Sequence, residues 1–250
     1  MNRKVALITG GNKGIGFATA KKLGELGYKV ILGARNQERG MNAVAKLKKD
    51  NLDAHLVILD FENLTTIESA VGVLKNEHKR LDILVNNAAI MDFDNNVFPM
   101  DIQRHRKEMD VNYFATVELT NSLLPLLLSS SPEPRIVFVS TPLASHATTD
   151  KPHNRYAHPH LTSYKCSKAA LNMYAHNLAV YLAKHCEEGS AKAAKVNCCY
   201  PGYVRTDMCF NTEEAPLTPE QGAETSVYLA TLGPDGPTGG FYHHDKLIPW

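Results

Sequence analysis

The chain has 250 residues, of which 44% are hydrophobic, and its 27 Lys and Arg against 26 Asp and Glu give a net charge of +1. This composition excludes a disordered or low-complexity chain, and the length suits one large hydrophobic core. Charges of both signs are interleaved, as in residues 46–53. No continuous basic face is therefore predicted for a nucleic acid or an anionic membrane.

The apolar runs and the cysteines predict a protein that stays in the cytoplasm. The longest apolar run, residues 123–128, is far shorter than the roughly 20 residues of a spanning helix. The first apolar segment begins at Val5, which leaves no room for a signal peptide. The five cysteines are an odd number and include the neighbours Cys198 and Cys199. A disulfide framework is therefore not expected, and a reducing compartment fits.

Short β-branched segments alternate with longer amphipathic ones, which is typical of repeated strand–helix–strand units. Strands are predicted at residues 5–9, 29–34, 55–60, 81–86, 135–140, 195–200 and near 239–242, and helices at 14–26, 38–49, 64–79, 101–128, 161–185 and 219–229. Each crossover is long enough for a helix, and right-handed crossovers place helices on both faces of a sheet. We therefore predict an α/β fold, a doubly wound parallel sheet of about seven strands, in a single domain over residues 1–250.

A glycine-rich segment follows the first predicted strand and opens the first predicted helix, with the sequence Thr9-Gly10-Gly11-Asn12-Lys13-Gly14-Ile15-Gly16. Its glycines allow a tight turn and a close approach of the backbone to a pyrophosphate, whose charge is favoured by the free N–H groups of the helix start. Such a segment alone is as often a turn without a ligand. Its position between a strand and a helix predicts a dinucleotide site.

The end of the second predicted strand indicates which dinucleotide binds. A site for NAD usually places Asp or Glu there for the ribose 2′-hydroxyl, whereas this chain has Arg35, with Arg39 close behind. Arg35 suits a 2′-phosphate, and Lys13 can approach the same group. Each charge-assisted contact is worth roughly 1.5–3 kcal/mol. Surface arginines are common after strands, but this pattern favours NADP(H).

Two further strand ends are compatible with a nucleotide. Asp60 and Phe61 end the third predicted strand, where the carboxylate can accept from an adenine amino group while the ring packs nearby. Asn86, Asn87 and Ala88 end the fourth, where small residues let a nucleotide lie against the backbone. Taken alone, either segment is equally typical of a strand-to-helix cap.

Tyr164 and Lys168 are four residues apart in a predicted helix, so they share one helical face. Without context, such a pair is usually a solvated surface. A tyrosine has a pKa of about 10, and its use as an acid or base near pH 7 needs a shift of about three units, or roughly 4 kcal/mol. A neighbouring ammonium and the positive charge of an oxidised nicotinamide both act in that direction.

Together these motifs resemble the single-domain short-chain dehydrogenase/reductase family over essentially the whole chain. The features that carry the resemblance are, in chain order, Thr9-Gly10-x-x-x-Gly14-x-Gly16, Asn86-Asn87-Ala88, Asn112, Tyr164-x-x-x-Lys168 and Pro201-Gly202. The glycine segment, Ala34-Arg35, residues 201–208 and residues 240–250 are similar to the carbonyl reductase branch, which uses NADPH.

The resemblance implies a role for each matching residue. Tyr164 protonates the carbonyl oxygen, Lys168 holds the ribose hydroxyls and lowers the pKa of Tyr164, and Asn112 supports a proton relay. Pro201, Gly202, Val204 and Thr206 fix the carboxamide of the nicotinamide. The implied cofactor site comprises Gly10, Asn12, Lys13, Gly14, Ile15, Gly16, Arg35, Asp60, Phe61, Asn87, Ala88, Val111, Tyr164, Lys168, Pro201, Gly202, Val204 and Thr206.

The chain departs from the family pattern at two positions. The serine that orients the substrate aligns with Thr141, whose hydroxyl can donate the same hydrogen bond but whose methyl group narrows the pocket. Ser140 is the alternative, although neighbours in a strand point to opposite faces. Ala89 stands where the family usually has glycine, and a methyl group there costs little.

Two loops, near residues 142–163 and 205–219, are predicted to form the mouth of the substrate site. The first contains His146, His153, His158 and His160. No cysteine and no helical His-x-x-x-His spacing accompanies them, so no metal site is expected.

The sequence therefore predicts an NADPH-dependent reductase that converts a ketone, aldehyde or quinone into an alcohol, with Asn112, Thr141, Tyr164 and Lys168 as its catalytic residues. A dedicated steroid or terpenoid alcohol dehydrogenase and a catalytically silent NADPH-binding sensor are the alternatives. The expected partner is a small-molecule carbonyl substrate, with no nucleic acid and no membrane. Whether the protein is a monomer or a homo-oligomer is left open.

Overall fold

A computed structural model describes residues 3–92, 98–149, 159–187, 194–209 and 213–250. One eight-stranded sheet forms its centre, in the order β3-β2-β1-β4-β5-β6-β7-β8. The strands are β1 Val5–Thr9, β2 Lys29–Ala34, β3 Ala54–Ile58, β4 Ile83–Asn86, β5 Arg135–Val139, β6 Lys195–Cys199, β7 Phe241–His243 and β8 Lys246–Leu247.

Strands β1 to β7 pair in parallel, which confirms the predicted doubly wound sheet. Strand β1 lies between β2 and β4, so the sheet grows from β1 in one direction through β2 and β3 and in the other direction from β4 onwards. The order of the strands therefore reverses between β1 and β4. At such a point the loops after the two neighbouring strands run to opposite faces of the sheet, and they leave a crevice between them at the carboxyl ends of the strands. Ligands of this fold class bind there.

Helices cover both faces of the sheet. They are α1 Gly14–Glu25, α2 Gln37–Lys49, α3 Thr65–Val73, α4 Ile102–Met109, α5 Ala115–Ser130, α6 His146–Thr149, α7 Thr162–Glu187 and α8 Pro219–Ala230. Alternate residues of β1 divide between two cores, because successive side chains of a strand point to opposite faces. Leu7 packs with Leu119 of α5 and Leu178 of α7, whereas Ile8 packs with Leu23 of α1 and Leu229 of α8.

Several predicted boundaries were wrong. Strand β3 ends at Ile58, so Asp60 lies in the turn that follows. The helix predicted over 101–128 is interrupted by a π-helical turn, Asp110–Phe114, and a similar turn, Leu74–His78, extends α3. Strand β8 was not predicted, because a two-residue antiparallel strand is too short to show an alternating pattern.

No helix in the described part of the chain is long and apolar enough to cross a bilayer.

Candidate active site

A cleft of about 660 Å³ lies at the carboxyl ends of the strands, where the sheet order reverses. Most of the predicted cofactor residues contribute to its walls. They are Gly10, Asn12, Lys13, Gly14, Ile15, Gly16, Arg35, Asp60, Phe61, Asn87, Ala88, Val111, Tyr164, Lys168, Pro201 and Thr206. Gly202 and Val204 are not part of the wall, and Val204 is buried.

The glycine segment packs directly against the loop that follows β4. A Cβ atom on Gly16 would lie 2.5 Å from both Asn87 Nδ2 and the carbonyl oxygen of Gly10, so a side chain cannot fit without displacing the backbone. Gly10 itself has a φ of +64°, a conformation that favours glycine. Asn87 Nδ2 donates to the carbonyl oxygen of Thr9 at 2.8 Å and joins the two loops. The result is a backbone cradle of the kind that a pyrophosphate needs.

The two cations expected to bind a 2′-phosphate lie in the cleft wall, and each faces a carboxylate. Lys13 Nζ is 2.6 Å from Asp207 Oδ2, in the loop after β6. Arg35 Nη1 is 3.2 Å from Glu62 Oε2, in the turn after β3. Lys107 Nζ lies 3.1 Å from the other oxygen of Glu62. These carboxylates were not predicted, because they are distant along the chain from the cations they pair with.

The turn after β3 holds both predicted adenine residues. Asp60 Oδ1 accepts from the backbone N–H of Glu62 at 3.1 Å, and Thr66 donates its hydroxyl to the Asp60 carbonyl at 3.0 Å. Phe61 is buried in the core. Asp60 therefore stabilises its own turn and also faces the cleft. A role as a cap after the strand and a role as a ligand of the adenine are thus compatible.

Tyr164 and Lys168 lie together on the buried face of α7, where both line the cleft. Lys168 Nζ donates to the carbonyl oxygen of Val139 at 2.9 Å and lies 5.9 Å from the centre of the Tyr164 ring. Burial lowers the pKa of Lys168 to about 8. The pair is a buried feature of a cleft, which rules out the solvated-surface interpretation.

The expected lowering of the Tyr164 pKa by Lys168 is not found. Burial raises the pKa of the Tyr164 phenol above its usual value, and the Glu108 carboxylate raises it further. Desolvation disfavours the charged phenolate, and the negative charge of Glu108 acts in the same direction. The protein's own groups therefore hold the phenol protonated, as a proton donor requires.

The π-helical turn places Asn112 against the loop after β4. Its Oδ1 accepts from the backbone N–H of Ile90 at 2.8 Å, and its Nδ2 donates to the Ile90 carbonyl at 2.9 Å. Nδ2 also lies 3.0 Å from Ser167 Oγ, and Ser167 donates to the Tyr164 carbonyl at 2.8 Å. Asn112 does not line the cleft, and its hydrogen bonds connect the backbone of Ile90 to the helix that carries Tyr164.

The neighbours Ser140 and Thr141 differ in what their hydroxyls bind. Ser140 lines the cleft, but its hydroxyl lies 2.6 Å from Asn172 Oδ1 in a buried pair, so its proton is already donated. Thr141 Oγ1 accepts from the backbone N–H of Leu143 at 3.2 Å, a contact that does not use its proton. Hydrogen bonding thus favours Thr141 as the hydroxyl donor, whereas position favours Ser140, because Thr141 is buried and is not part of the cleft wall.

Other cleft residues were missed by sequence reasoning. Ile90, Met91 and Asp92 line the cleft, and they lie in a loop whose residue types carry no signal of their own. Asp207 and Met208 also line the cleft, within the predicted substrate loop near residues 205–219. Glu108 is buried on α4 and accepts a hydrogen bond from the backbone of Asp92. The position of Glu108 within a charged segment is typical of a surface helix.

The histidines and cysteines do not combine into a metal site in the described part of the chain. No group of three or more His, Cys, Asp or Glu side chains there could hold a metal ion. His146 and His160 are described, whereas His153 and His158 lie outside the described residues. Burial raises the pKa of the Cys199 thiol to about 12, and that of the Cys198 thiol also rises. These two thiols are inert core residues.

Residues 4–216 match the sequence model of the short chain dehydrogenase family. The chain belongs to this family, as the motifs indicated.

Its curated relatives include carbonyl reductase (NADPH) 1 of Mus musculus, which is 34% identical over 100% of this chain and 99% of the mouse protein. The Homo sapiens protein of the same name is 32% identical over 98% of each chain. Among solved structures, salutaridine reductase from Papaver somniferum is 29% identical, with a TM-score of 0.78 over 96% of this chain and 99% of that one. A short chain dehydrogenase from Escherichia coli, solved with NADPH, is 26% identical, with a TM-score of 0.81 over 97% of this chain and 96% of that one.

Proposed function

We propose that this protein reduces the carbonyl group of a small molecule, a ketone, aldehyde or quinone, to an alcohol with NADPH. The observation that carries the proposal is the arrangement of one cleft. A backbone cradle and two cations line part of it, and the buried pair Tyr164 and Lys168 lines another part. The relatives named carbonyl reductase (NADPH), aligned over the full length of the chain, support the same reaction.

The residues present fit a dinucleotide phosphate. A side chain at Gly10 or Gly16 would crowd the neighbouring loop at Asn87, and the absence of side chains there lets a pyrophosphate approach the backbone. Arg35 and Lys13 would bind the 2′-phosphate in exchange for Glu62 and Asp207. A bound NADPH supplies the hydride.

The protein supplies a proton and a fixed geometry. Tyr164 donates its phenolic proton to the carbonyl oxygen of the substrate, and the buried, uncharged phenol is suited to that role. Thr141, with Ser140 as the alternative, donates a hydrogen bond to the same oxygen, and Lys168 binds the ribose hydroxyls. Asn112 fixes the loop at Ile90 and the start of α7. Oxidation of an alcohol by NADP⁺ is the reverse of these steps, with Tyr164 as the base.

The mouth of the substrate site is formed by the loops near residues 142–163 and 205–219. The described part of the first loop begins with a short helical turn, Pro142–Ala144, and α6. Its start is fixed to the end of the chain, because Ser145 Oγ donates to the backbone carbonyl of Pro249 at 2.8 Å. The cytoplasmic location stays a prediction.

The direct test follows the absorbance of NADPH with a panel of diketones, quinones, aldehydes and steroid ketones, with NADH in parallel. We expect turnover with NADPH and several carbonyl classes. Turnover with one steroid or terpenoid ketone alone would indicate a dedicated dehydrogenase. Tight NADPH binding without turnover of any carbonyl would contradict the proposal and favour a sensor.

A further inference from the structure

Two side chains of one helical segment hold the loop after β4 in place. Asn112 makes two hydrogen bonds to the backbone of Ile90, and one helical turn earlier Glu108 Oε1 accepts from the backbone N–H of Asp92 at 2.6 Å. Ile90 and Asp92 both line the cleft. Glu108 and Asn112, one helical turn apart, thus bind Asp92 and Ile90 in the cleft wall. We call these two side chains the anchors of the loop.

Glu108 is an unusual choice for an anchor, because it is a buried acid. Its side chain has no exposed surface, and within the described ranges its second oxygen, Oε2, has no hydrogen-bond partner. A neutral amide or hydroxyl could accept the same hydrogen bond without the free energy that a buried charge costs. The acid therefore adds a titratable charge to the anchor.

The charge of Glu108 acts on the proposed proton donor, Tyr164. Helix α4 packs against α7, and the ionised carboxylate raises the pKa of Tyr164. The other charged groups that act on Glu108 are Asp92, in the cleft wall, and Arg104, one turn earlier on α4. His105 also faces α7, with its Nδ1 3.4 Å from Ser163 Oγ.

We propose that Glu108 is a positioning residue of this site, which anchors the cleft wall at Asp92 and places an acidic side chain on α4, the helix that packs against the one carrying Tyr164. The inference rests on the proposed carbonyl reduction. Burial raises the pKa of Glu108 to about 7. Below that pH the neutral acid leaves Tyr164 the stronger proton donor, and above it the carboxylate makes Tyr164 a weaker one. Carbonyl reduction should therefore slow as the pH rises through about 7.

The test compares Glu108→Gln and Glu108→Ala with the wild type in pH profiles of kcat and kcat/KM at saturating NADPH. The wild-type kcat should fall by roughly threefold through a step near pH 7, as expected for one charge acting on a general acid. Glu108→Gln keeps an oxygen for Asp92 but cannot ionise, so its profile should lose this step while its KM stays within about twofold of wild type. Glu108→Ala should lose the step and also raise KM, because the anchor is gone.

Glu118→Gln is the matched control, because it makes the same chemical change on α5 at a residue outside the cleft wall, and its profile should keep the step. A step that persists in Glu108→Gln would overturn the proposed charge. An unchanged KM in Glu108→Ala would overturn the anchor.

An infrared titration separates this inference from the proposed function. The wild type should show the band of a protonated carboxyl group at about pH 6 that disappears by about pH 8, and Glu108→Gln should lack it. If the band behaves in this way while no carbonyl is reduced, the proposed function fails and the charge assignment stands. Absence of the band from the wild type would overturn the assignment.

Discussion

The burial of a single carboxyl group makes the stability of the protein depend on pH. Glu108 has a pKa of about 7 in the folded chain, against an ordinary value of 4.5. A raised folded pKa means that the neutral acid is favoured by folding, so its contribution to stability is complete below about pH 4.5 and is lost as the pH rises through 7. The loss amounts to roughly 3 kcal/mol when the group is fully ionised.

Glu108→Gln should remove this loss. We expect its melting temperature to exceed that of the wild type by several degrees at about pH 9, and the difference to shrink towards pH 5. Thermal unfolding followed by circular dichroism over this range measures it, with Glu118→Gln as the control that follows the wild type. A melting-temperature difference that does not change with pH would contradict the ionisation of Glu108.

Gly16 shows how closely the cofactor cradle is packed. A methyl group on Gly16 would meet the Gly10 carbonyl oxygen and Asn87 Nδ2 at 2.5 Å. Because one of these atoms belongs to the backbone, Gly16→Ala should destabilise the fold by roughly 1–3 kcal/mol, the usual cost of overpacking. The displaced backbone should also weaken NADPH binding by at least about tenfold.

Gly72→Ala is the matched control, since nothing lies within 4 Å of a Cβ atom at that helical position. It should leave cofactor affinity unchanged and slightly raise stability. Fluorescence titration with NADPH and urea unfolding measure both variants. NADPH affinity of Gly16→Ala equal to that of wild type would show that the cradle does not hold the cofactor.

Single residues of the site differ in how far the sequence reveals them. Tyr164 and Lys168 were predictable, because their spacing places them on one helical face and the whole set of motifs resembles a known family. Glu108 was not, since residues 104–108 contain five polar or charged side chains in a row and look like a solvated surface. Only the packing of α4 against α7 and the loop after β4 shows that Glu108 is buried.

At the scale of elements, we expect the ends of β2 and β3 together to set the preference between NADPH and NADH. Arg35 follows β2 and Glu62 follows β3, and the 3.2 Å ion pair between them places opposite charges where the 2′-phosphate is expected. Arg35→Ala should lower the NADPH over NADH preference in kcat/KM by roughly 10–100-fold, because one charge-assisted contact is lost.

Glu62→Gln provides the reciprocal test. Without this carboxylate, Arg35 and Lys107 lose the anion that competes with the 2′-phosphate, so the affinity for NADPH should rise severalfold while that for NADH changes little. Arg3→Ala, which breaks a similar exposed pair with Asp53, should affect neither cofactor. If Arg35→Ala leaves the preference unchanged, the assignment of the 2′-phosphate site is wrong.

The elements also show which features a sequence reveals. Strands β1 and β2 begin and end where predicted, since both are mostly apolar and almost entirely buried. The π-helical turn Asp110–Phe114 was invisible, because one extra residue in a turn barely disturbs the spacing of apolar residues on either side. Yet this turn directs Asn112 towards Ile90. The motif therefore identifies Asn112, but the π-helical geometry that positions its side chain cannot be read from the sequence.

At the scale of the whole molecule, one sheet brings together groups from the entire chain. The cleft takes residues from loops after β1, β2, β3, β4, β5 and β6, and α7 adds Tyr164 and Lys168. Parallel strands end at the same edge, so residues distant in sequence meet there. The architecture thus explains why the proposed cofactor site and the proposed proton donor share one cleft.

The most direct test of carbonyl reduction with Tyr164 as proton donor is the turnover of NADPH by Tyr164→Phe, with a carbonyl substrate of the wild type. We expect kcat to fall by roughly 10²–10⁴-fold, the usual contribution of a general acid, while NADPH affinity stays within about twofold. Tyr174→Phe makes the same change on α7 at a residue that binds Asn121, and it should keep wild-type turnover. Wild-type turnover in Tyr164→Phe would contradict the central claim.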